Sequence, residues 1–288
     1  MGVPYAAAAP CANPAAMKIA VVAPSCSLHR TAATAVEAIV AARGDAEIKI
    51  HAQCFASAGH FAGADSERLC ALREVMADPH VDAVWFARGG YGSNRIAEAA
   101  VRDLPDAARR KYYMGYSDAG FLLAAFDKAG LNVAHGPMVQ DVMRPGGEAA
   151  VQRALDWLVR CESSAVEPGL RPKSRAMAFN LTVLSNLLGT VLEPDFSGAD
   201  LIIEEVAEHE YRLDRMMFHL TGNAAVRRCR SIRMGRMSEI PANNSVFGSD
   251  PRSIVQDWCA RSGIDFGGPA DVGHDAANRI VPFDLARD

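Results

Sequence analysis

Lys111-Tyr-Tyr-Met-Gly-Tyr-Ser-Asp-Ala-Gly120 is where an apolar strand pattern hands over to a helical one. Tyr112 to Met114 suit a buried strand, Gly115 permits a tight backbone path, and from Asp118 onward apolar residues recur with helical spacing. Ser117 is thereby placed at an exposed strand-to-helix turn. Two readings are open there: a helix N-cap that satisfies orphan N–H groups, or a nucleophile presented at the turn, as in hydrolases.

The residues upstream and downstream repeat this alternation. Ile19 to Ala23 reads as a strand ending in Pro24-Ser25, Thr31 to Arg43 as a helix, Glu47 to Cys54 as a strand and Asp65 to Met76 as a helix. Val81-Asp-Ala-Val-Trp-Phe-Ala87 is the next strand and runs straight into Arg88-Gly-Gly-Tyr-Gly-Ser93, while Leu131 to Ala134 follows the Ser117 helix. Strands alternating with helices predict an α/β fold with a doubly wound parallel sheet. Ligands of such sheets bind at the carboxyl ends of the strands. Pro24-Ser25, the glycines at 89–92 and Ser117 all fall on that edge.

Beyond a helix from Glu148 to Arg160 the pattern changes. Residues 161–177 carry Pro, Gly and charge without periodicity and read as a linker between a domain at 17–160 and another at 178–288. In the second domain the spacing predicts a helix over 180–190 ended by Gly189, a strand Leu201 to Val206, a helix Tyr211 to Leu220, a strand over 231–234 and a helix Ser253 to Arg261. Residues 1–16 are Ala/Pro-rich, lack Lys and Arg, and read as a disordered tail or as preceding a native start at Met17.

Composition narrows the function. The 288 residues are 50% hydrophobic and 22% charged with a net charge of −4, an ordinary globular composition with no basic footprint for nucleic acid or an anionic membrane. No apolar stretch is long enough to span a bilayer. Seven scattered cysteines form neither a Cys-x-x-Cys pair nor a disulfide framework, so they read as reduced cytosolic thiols. No zinc signature is present, and neither a metal nor a cofactor is expected.

Three segments could carry chemistry. Gly89-Gly-Tyr-Gly92 could cradle a phosphate, donate N–H groups to an oxyanion, or be a plain turn; it lacks the Lys of a P-loop and the full Gly-x-Gly-x-x-Gly. Glu204 and Glu205 end a strand, where alternation sends one of them inward to orient a histidine, unless they are an edge charge pair. His274, in a Gly-preceded loop, could be a general base or a solvated histidine. Ser117, Glu204 and His274 follow the order Ser…Asp/Glu…His of other serine hydrolases.

Motifs add a family resemblance. From Met17 to about Phe283 the chain resembles an LD-carboxypeptidase of the muramoyl-tetrapeptide type, a serine peptidase family that also includes microcin-immunity peptidases. The likeness rests on Val21-Val-Ala-Pro-Ser25, Trp85-Phe-Ala-Arg-Gly-Gly-Tyr-Gly-Ser93, Gly115-Tyr-Ser-Asp118, His135-Gly-Pro-Met138, Asn180-Leu181 and Leu188-Gly-Thr190. It continues in Ile203-Glu-Glu-Val-Ala-Glu208, Tyr211-Arg-Leu-Asp-Arg215 and Val272-Gly-His274. The resemblance implies Ser117 as nucleophile, His274 as general base, Glu204 as the carboxylate orienting it, and an oxyanion hole from the N–H groups of Asp118 and of Gly89 or Gly90, with Gly90 preferred. It implies an N-terminal Rossmann-like parallel-sheet domain and a smaller C-terminal β-rich α/β domain, with the triad assembled between them and sensitive to domain closure. A cytoplasmic, metal-free homodimer releasing D-alanine from murein tetrapeptide is the implied whole.

One departure bears on the site. Ala178-Phe179 stands where the family usually has Gly-Gly, putting bulk in a loop expected to touch substrate. Two other functions compete: hydrolysis of a peptidyl-nucleotide, as in the immunity branch, and a non-catalytic small-ligand module using Gly89 to Gly92 and Ser25.

Overall fold

The computed structural model describes residues 16–284, and its strands fall into two sheets. The first holds β1 (Met17–Val22), β2 (Ala46–Ile50), β3 (Ala83–Phe86), β4 (Tyr112–Gly115) and β5 (Asn132–His135), all parallel, in spatial order 2-1-3-4-5. Helices α1 (Arg30–Arg43), α2 (Asp65–Ala77), α3 (Asn94–Ala100), α4 (Gly120–Lys128) and α5 (Gly147–Arg160) link and cover these strands. Both faces are covered, so the central strands β3 and β4 are buried almost throughout. Val22, Val84, Phe86, Tyr113 and Val133 join one buried cluster, and the alternating Ile19, Val21, Trp85, Met114 and Ala134 join the other. Strand order reverses between β1 and β3, which opens a crevice at their carboxyl ends, beside the end of β4.

The second sheet holds β6 (Ala176–Asn180), β7 (Asp200–Val206), β8 (Ser231–Ser238) and β9 (Asp265–Pro269) in sequential, parallel order. It is flanked by α6 (Leu181–Leu187), α7 (Glu210–Gly222) and α8 (Pro251–Ser262). Local chemistry sets the helix ends: Asn180 accepts from the Val183 N–H at 3.1 Å to start α6, and Asp250 accepts from Ser253 at 2.7 Å with Pro251 in the first turn of α8. Phe179, Leu201, Ile203 and Ile232 share a cluster with Phe86 and Leu122, so one apolar core runs through both sheets. The chain then returns: β10 (Val281–Pro282) pairs antiparallel with β5, Val281 opposite His135 and Pro282 opposite Ala134.

Several boundaries differ from the sequence expectation. The strand expected to reach Cys54 stops at Ile50, because Gln53 turns inward: its amide donates to the carbonyls of Ala23 and Ala62, stapling the end of β1. The last two residues of the expected 161–177 linker already belong to β6, and Asn180 ends that strand rather than lying inside a helix. Ala178 and Phe179 are therefore buried strand residues, with the Phe179 ring packed 5.3 Å from that of Phe283; they form no substrate loop. The expected 231–234 strand runs on to Ser238. β9 and β10 were not expected at all. The reading of residues 1–16 lies, apart from Ala16, outside the described residues. No helix among the described residues is long and apolar enough to cross a membrane.

Candidate active site

Ser117 follows β4 as the first residue of a single 3-10 turn that leads into α4. Its backbone is left-handed, φ 57°, a conformation that costs a non-glycine residue about 1–2 kcal/mol and that concentrates at functional sites. The turn is enforced from below: a Cβ on Gly115 would lie 2.7 Å from the Phe86 ring and 3.2 Å from the Ala119 Cβ. The cap reading of Ser117 does not hold, since Tyr116 occupies the N-cap position and no side chain caps the turn. Ser117 is also only half-buried rather than freely exposed. Its hydroxyl instead lies 2.9 Å from His274 Nε2.

His274 Nδ1 lies 2.6 Å from Glu204 Oε2. With Glu204 accepting there, the imidazole carries its proton on Nδ1 and offers Nε2 to the Ser117 hydroxyl. Burial by itself pushes the imidazole down, but the Glu204 carboxylate, through charge and hydrogen bond, more than offsets this and holds His274 above its ordinary value. The loop bearing His274 is fixed on both sides. Arg236 N donates to the Val272 carbonyl at 2.8 Å, the Arg236 guanidinium bonds Asp271 and Asp275, and Gly273 N donates to Asn278 Oδ1 at 3.1 Å.

The two glutamates at the end of β7 are both buried, because β7 is covered on both faces and alternation sends them to opposite sides. Glu205 does not face the histidine. It accepts from Asn180 Nδ2 at 2.6 Å and from the N–H groups of Thr182 and Val206, tying β6 and α6 to β7. Burial raises its carboxyl above the usual range despite those donors.

The glycine turn lies against Ser117. A Cβ on Gly89 would fall 3.0 Å from both Cβ and Oγ of Ser117, and position 90, at φ 113°, takes glycine because a Cβ there would clash with Cys26 Sγ. Asp118 is clamped: Ser25 Oγ donates to Oδ2 at 2.5 Å, Ser93 N to the same oxygen at 2.9 Å, and Ser93 Oγ to the Asp118 carbonyl at 2.5 Å. Ser25 is thus fully buried and spent on Asp118, which removes it from the ligand-module reading.

Sequence reasoning missed a supporting layer. The Tyr116 ring lies 4.8 Å from that of His274, and its hydroxyl donates to Asp141 Oδ1 at 2.9 Å. Against the other side of Tyr116 stands His135, fully buried and pushed down to about 3 by burial and by His274, hence neutral. The His135-Gly-Pro-Met138 motif marked this position without revealing its task. Two clefts meet at Ser117 and His274, one of about 680 Å3 and one of about 370 Å3. Among the described residues no group of three or more His, Cys, Asp or Glu is placed to hold a metal.

Comparison with known proteins bears on this arrangement. Residues 19–136 match the LD-carboxypeptidase N-terminal domain of the peptidase S66 family and residues 173–286 match its C-terminal domain. The murein tetrapeptide carboxypeptidase of Pseudomonas aeruginosa is 27% identical over 241 residues, 78% of this chain and 77% of that protein. The crystal structure of the muramoyltetrapeptide carboxypeptidase from Oxalobacter formigenes superposes with a TM-score of 0.80 at 24% identity, covering 93% of each chain. The microcin C7 self-immunity protein MccF gives 0.76 at 19% identity over 94% of this chain and 92% of its own. At these identities the two structures speak to the fold.

Proposed function

From the membership of this chain in the LD-carboxypeptidase (peptidase S66) family, and hence among the peptidases, we propose that it is a serine-type LD-carboxypeptidase releasing the terminal D-alanine of a murein tetrapeptide. The observation that carries the reading is the unbroken line Ser117 Oγ, His274 Nε2, His274 Nδ1, Glu204 Oε2, with links of 2.9 and 2.6 Å.

Ser117 is weakly nucleophilic as an alcohol and needs a base at the moment of attack. His274 Nε2 takes its proton while Oγ bonds to the scissile carbonyl carbon, and buried Glu204 stabilises the imidazolium that forms. The carbonyl oxygen becomes an anion held by the N–H groups of Asp118 and Gly90, donors worth about 10²-fold or more in rate each. His274 then hands its proton to the departing amine, the C–N bond breaks, and a D-amino acid leaves an acyl-Ser117. Water, deprotonated by His274, hydrolyses that ester and restores the enzyme. Ser117 belongs to the 17–160 domain in this scheme, Glu204 and His274 to the 178–288 domain, and the enzyme acts as a cytoplasmic homodimer.

Incubation with murein tetrapeptide, followed by mass spectrometry for free D-alanine, tests the proposal. Release by the natural chain and none by Ser117→Ala, which should still bind the peptide, is the expected result. Full turnover by Ser117→Ala would sink the serine mechanism, and release of a nucleotide from a peptidyl-nucleotide in place of D-alanine would redirect the substrate to the immunity branch.

A further inference from the structure

The two clefts that meet at Ser117 and His274 differ in charge. The larger one is lined by Glu98, Asp118, Glu205 and Glu208 and by no Lys or Arg. Glu98 and Glu208 are ion-paired with Arg102 and Arg212, and Asp118 and Glu205 are buried and already accept hydrogen bonds, so what distinguishes this cleft is that its lining offers a ligand no arginine or lysine. The smaller cleft is lined by Arg88, Arg144 and a single carboxylate, Asp141.

That carboxylate is already engaged. Asp141 accepts from the Tyr116 hydroxyl and from Arg144 Nε through Oδ1, and from Met138 N through Oδ2, and its side chain is almost fully buried. Arg144 is held by Asp141 through Nε and by Tyr116, and its half-exposed side chain lines the cleft. Arg88 makes no ion pair among the described residues; its Nη1 lies 3.3 Å from both the Ser27 carbonyl and His29 Nε2. Arg144 and Asp141 offset one another, so the lining carries a net charge of +1, held by Arg88, and this is the positive side of Ser117. A planar guanidinium is also the group that best matches a carboxylate, through paired N–H donors.

We propose that the smaller cleft is the leaving-group subsite, where Arg88 and Arg144 capture the terminal carboxylate of the departing residue. The larger, acidic cleft then takes the acyl part of the peptide. This orientation rests on the carboxypeptidase reading above and adds to it the reason the enzyme cuts only at a chain end. A free carboxylate finds cations in the lining of one of the two clefts alone.

The test uses one LD-linked tetrapeptide with a terminal D-alanine and its twin ending in D-alaninamide. The natural chain should prefer the free acid by about 10- to 100-fold in kcat/KM, the scale of a charge-assisted pair. In Arg88→Gln and Arg144→Gln the acid-to-amide ratio should collapse through a raised KM for the acid, and Arg144→Lys should restore part of it. Variants that keep the full preference overturn the assignment. A second readout needs no turnover: D-alanine, but not D-alaninamide, should stabilise the folded chain against heat, and Arg88→Gln should abolish the difference. Equal effects of the two compounds on the natural chain also overturn it. If no LD-peptide is cleaved while D-alanine still binds in an Arg88-dependent way, the peptidase specificity falls and the carboxylate site stands.

Discussion

Replacing Glu204 with glutamine isolates one electrical contribution to the proposed mechanism. Glu204 is fully buried, and its Oε2 meets His274 Nδ1 at 2.6 Å while Oε1 has no hydrogen-bond partner. A glutamine can therefore turn its carbonyl toward Nδ1 without breaking another bond, keeping the tautomer and aim of the imidazole and removing only the charge. With charge centres about 4 Å apart and an effective dielectric constant near 20, the lost attraction for the imidazolium is about 4 kcal/mol. At about 1.4 kcal/mol per decade, kcat/KM should fall by about 10³-fold. The pH profile supplies a second readout. A general base works when neutral, so activity is lost as pH falls through the His274 pKa, which the natural chain holds above its ordinary 6.5. Without Glu204, burial, the largest influence, and the positive charge of Arg144 both lower the pKa against the smaller raising effect of Glu205, and the acid limb should move to lower pH. Hydrolysis of the LD-tetrapeptide measured from pH 4 to 9 reads both effects. An E204Q enzyme within threefold of the natural one, with an unshifted acid limb, would refute the role given to the carboxylate.

Gly89→Ala should lower kcat by about 10²-fold with little change in melting temperature, since the new Cβ would crowd Ser117 Oγ and Met138 at the turn itself; full activity would mean that the turn gives way without moving the nucleophile. Ser25→Ala removes the 2.5 Å bond to Asp118 and should cost about 1.5–3 kcal/mol of stability in urea unfolding, and an unchanged midpoint would show that Asp118 is not clamped by it. Arg233→Met leaves Glu167, which also accepts from Gly169 N and Asp271 N, as a buried charge without its cation, so about 3–5 kcal/mol should be lost. The double variant Arg233→Met with Glu167→Leu should recover much of that loss, and no recovery would argue against an electrostatic cause.

The parallel sheet was legible because Ile19–Ala23, Ala83–Ala87 within the expected 81–87 strand, and Tyr112–Met114 are short apolar runs, the pattern of strands covered on both faces. β6 escaped because Ala-Met-Ala-Phe-Asn carries no β-branched residue and stands beside a helix that its own last residue caps. β9, Asp-Phe-Gly-Gly-Pro, and β10, Val-Pro, contain the residues least favoured in strands, tolerated because both lie at sheet edges. At the candidate site, Ser117 and His274 stand 157 residues apart, and no local period links them. The strand-to-helix turn marked Ser117 and the chain order grouped it with Glu204 and His274, but each kept an alternative reading until the ordered motifs of the family resemblance chose among them. Tyr116, Asp141 and Arg144 support the site through tertiary contacts, which leave no periodic trace in a single sequence.

The path of the chain after His274 bears on how rigid the site is. Sequence reading assigned nucleophile and base to separate domains and inferred dependence on domain closure. Yet His274 is followed within seven residues by Val281, which pairs with His135 on β5, the strand beside the one that carries Ser117. On its other side the loop is held by Arg236 at the end of β8. Phe179 and Ile203 of the second sheet share one apolar cluster with Phe86 and Leu122 of the first, so hinging the sheets apart would expose core rather than separate two surfaces. Preorganisation, not closure, is the physical consequence: the 2.9 Å link between Ser117 and His274 spans the two sheets and is secured by strand pairing on one side and packed core beneath it.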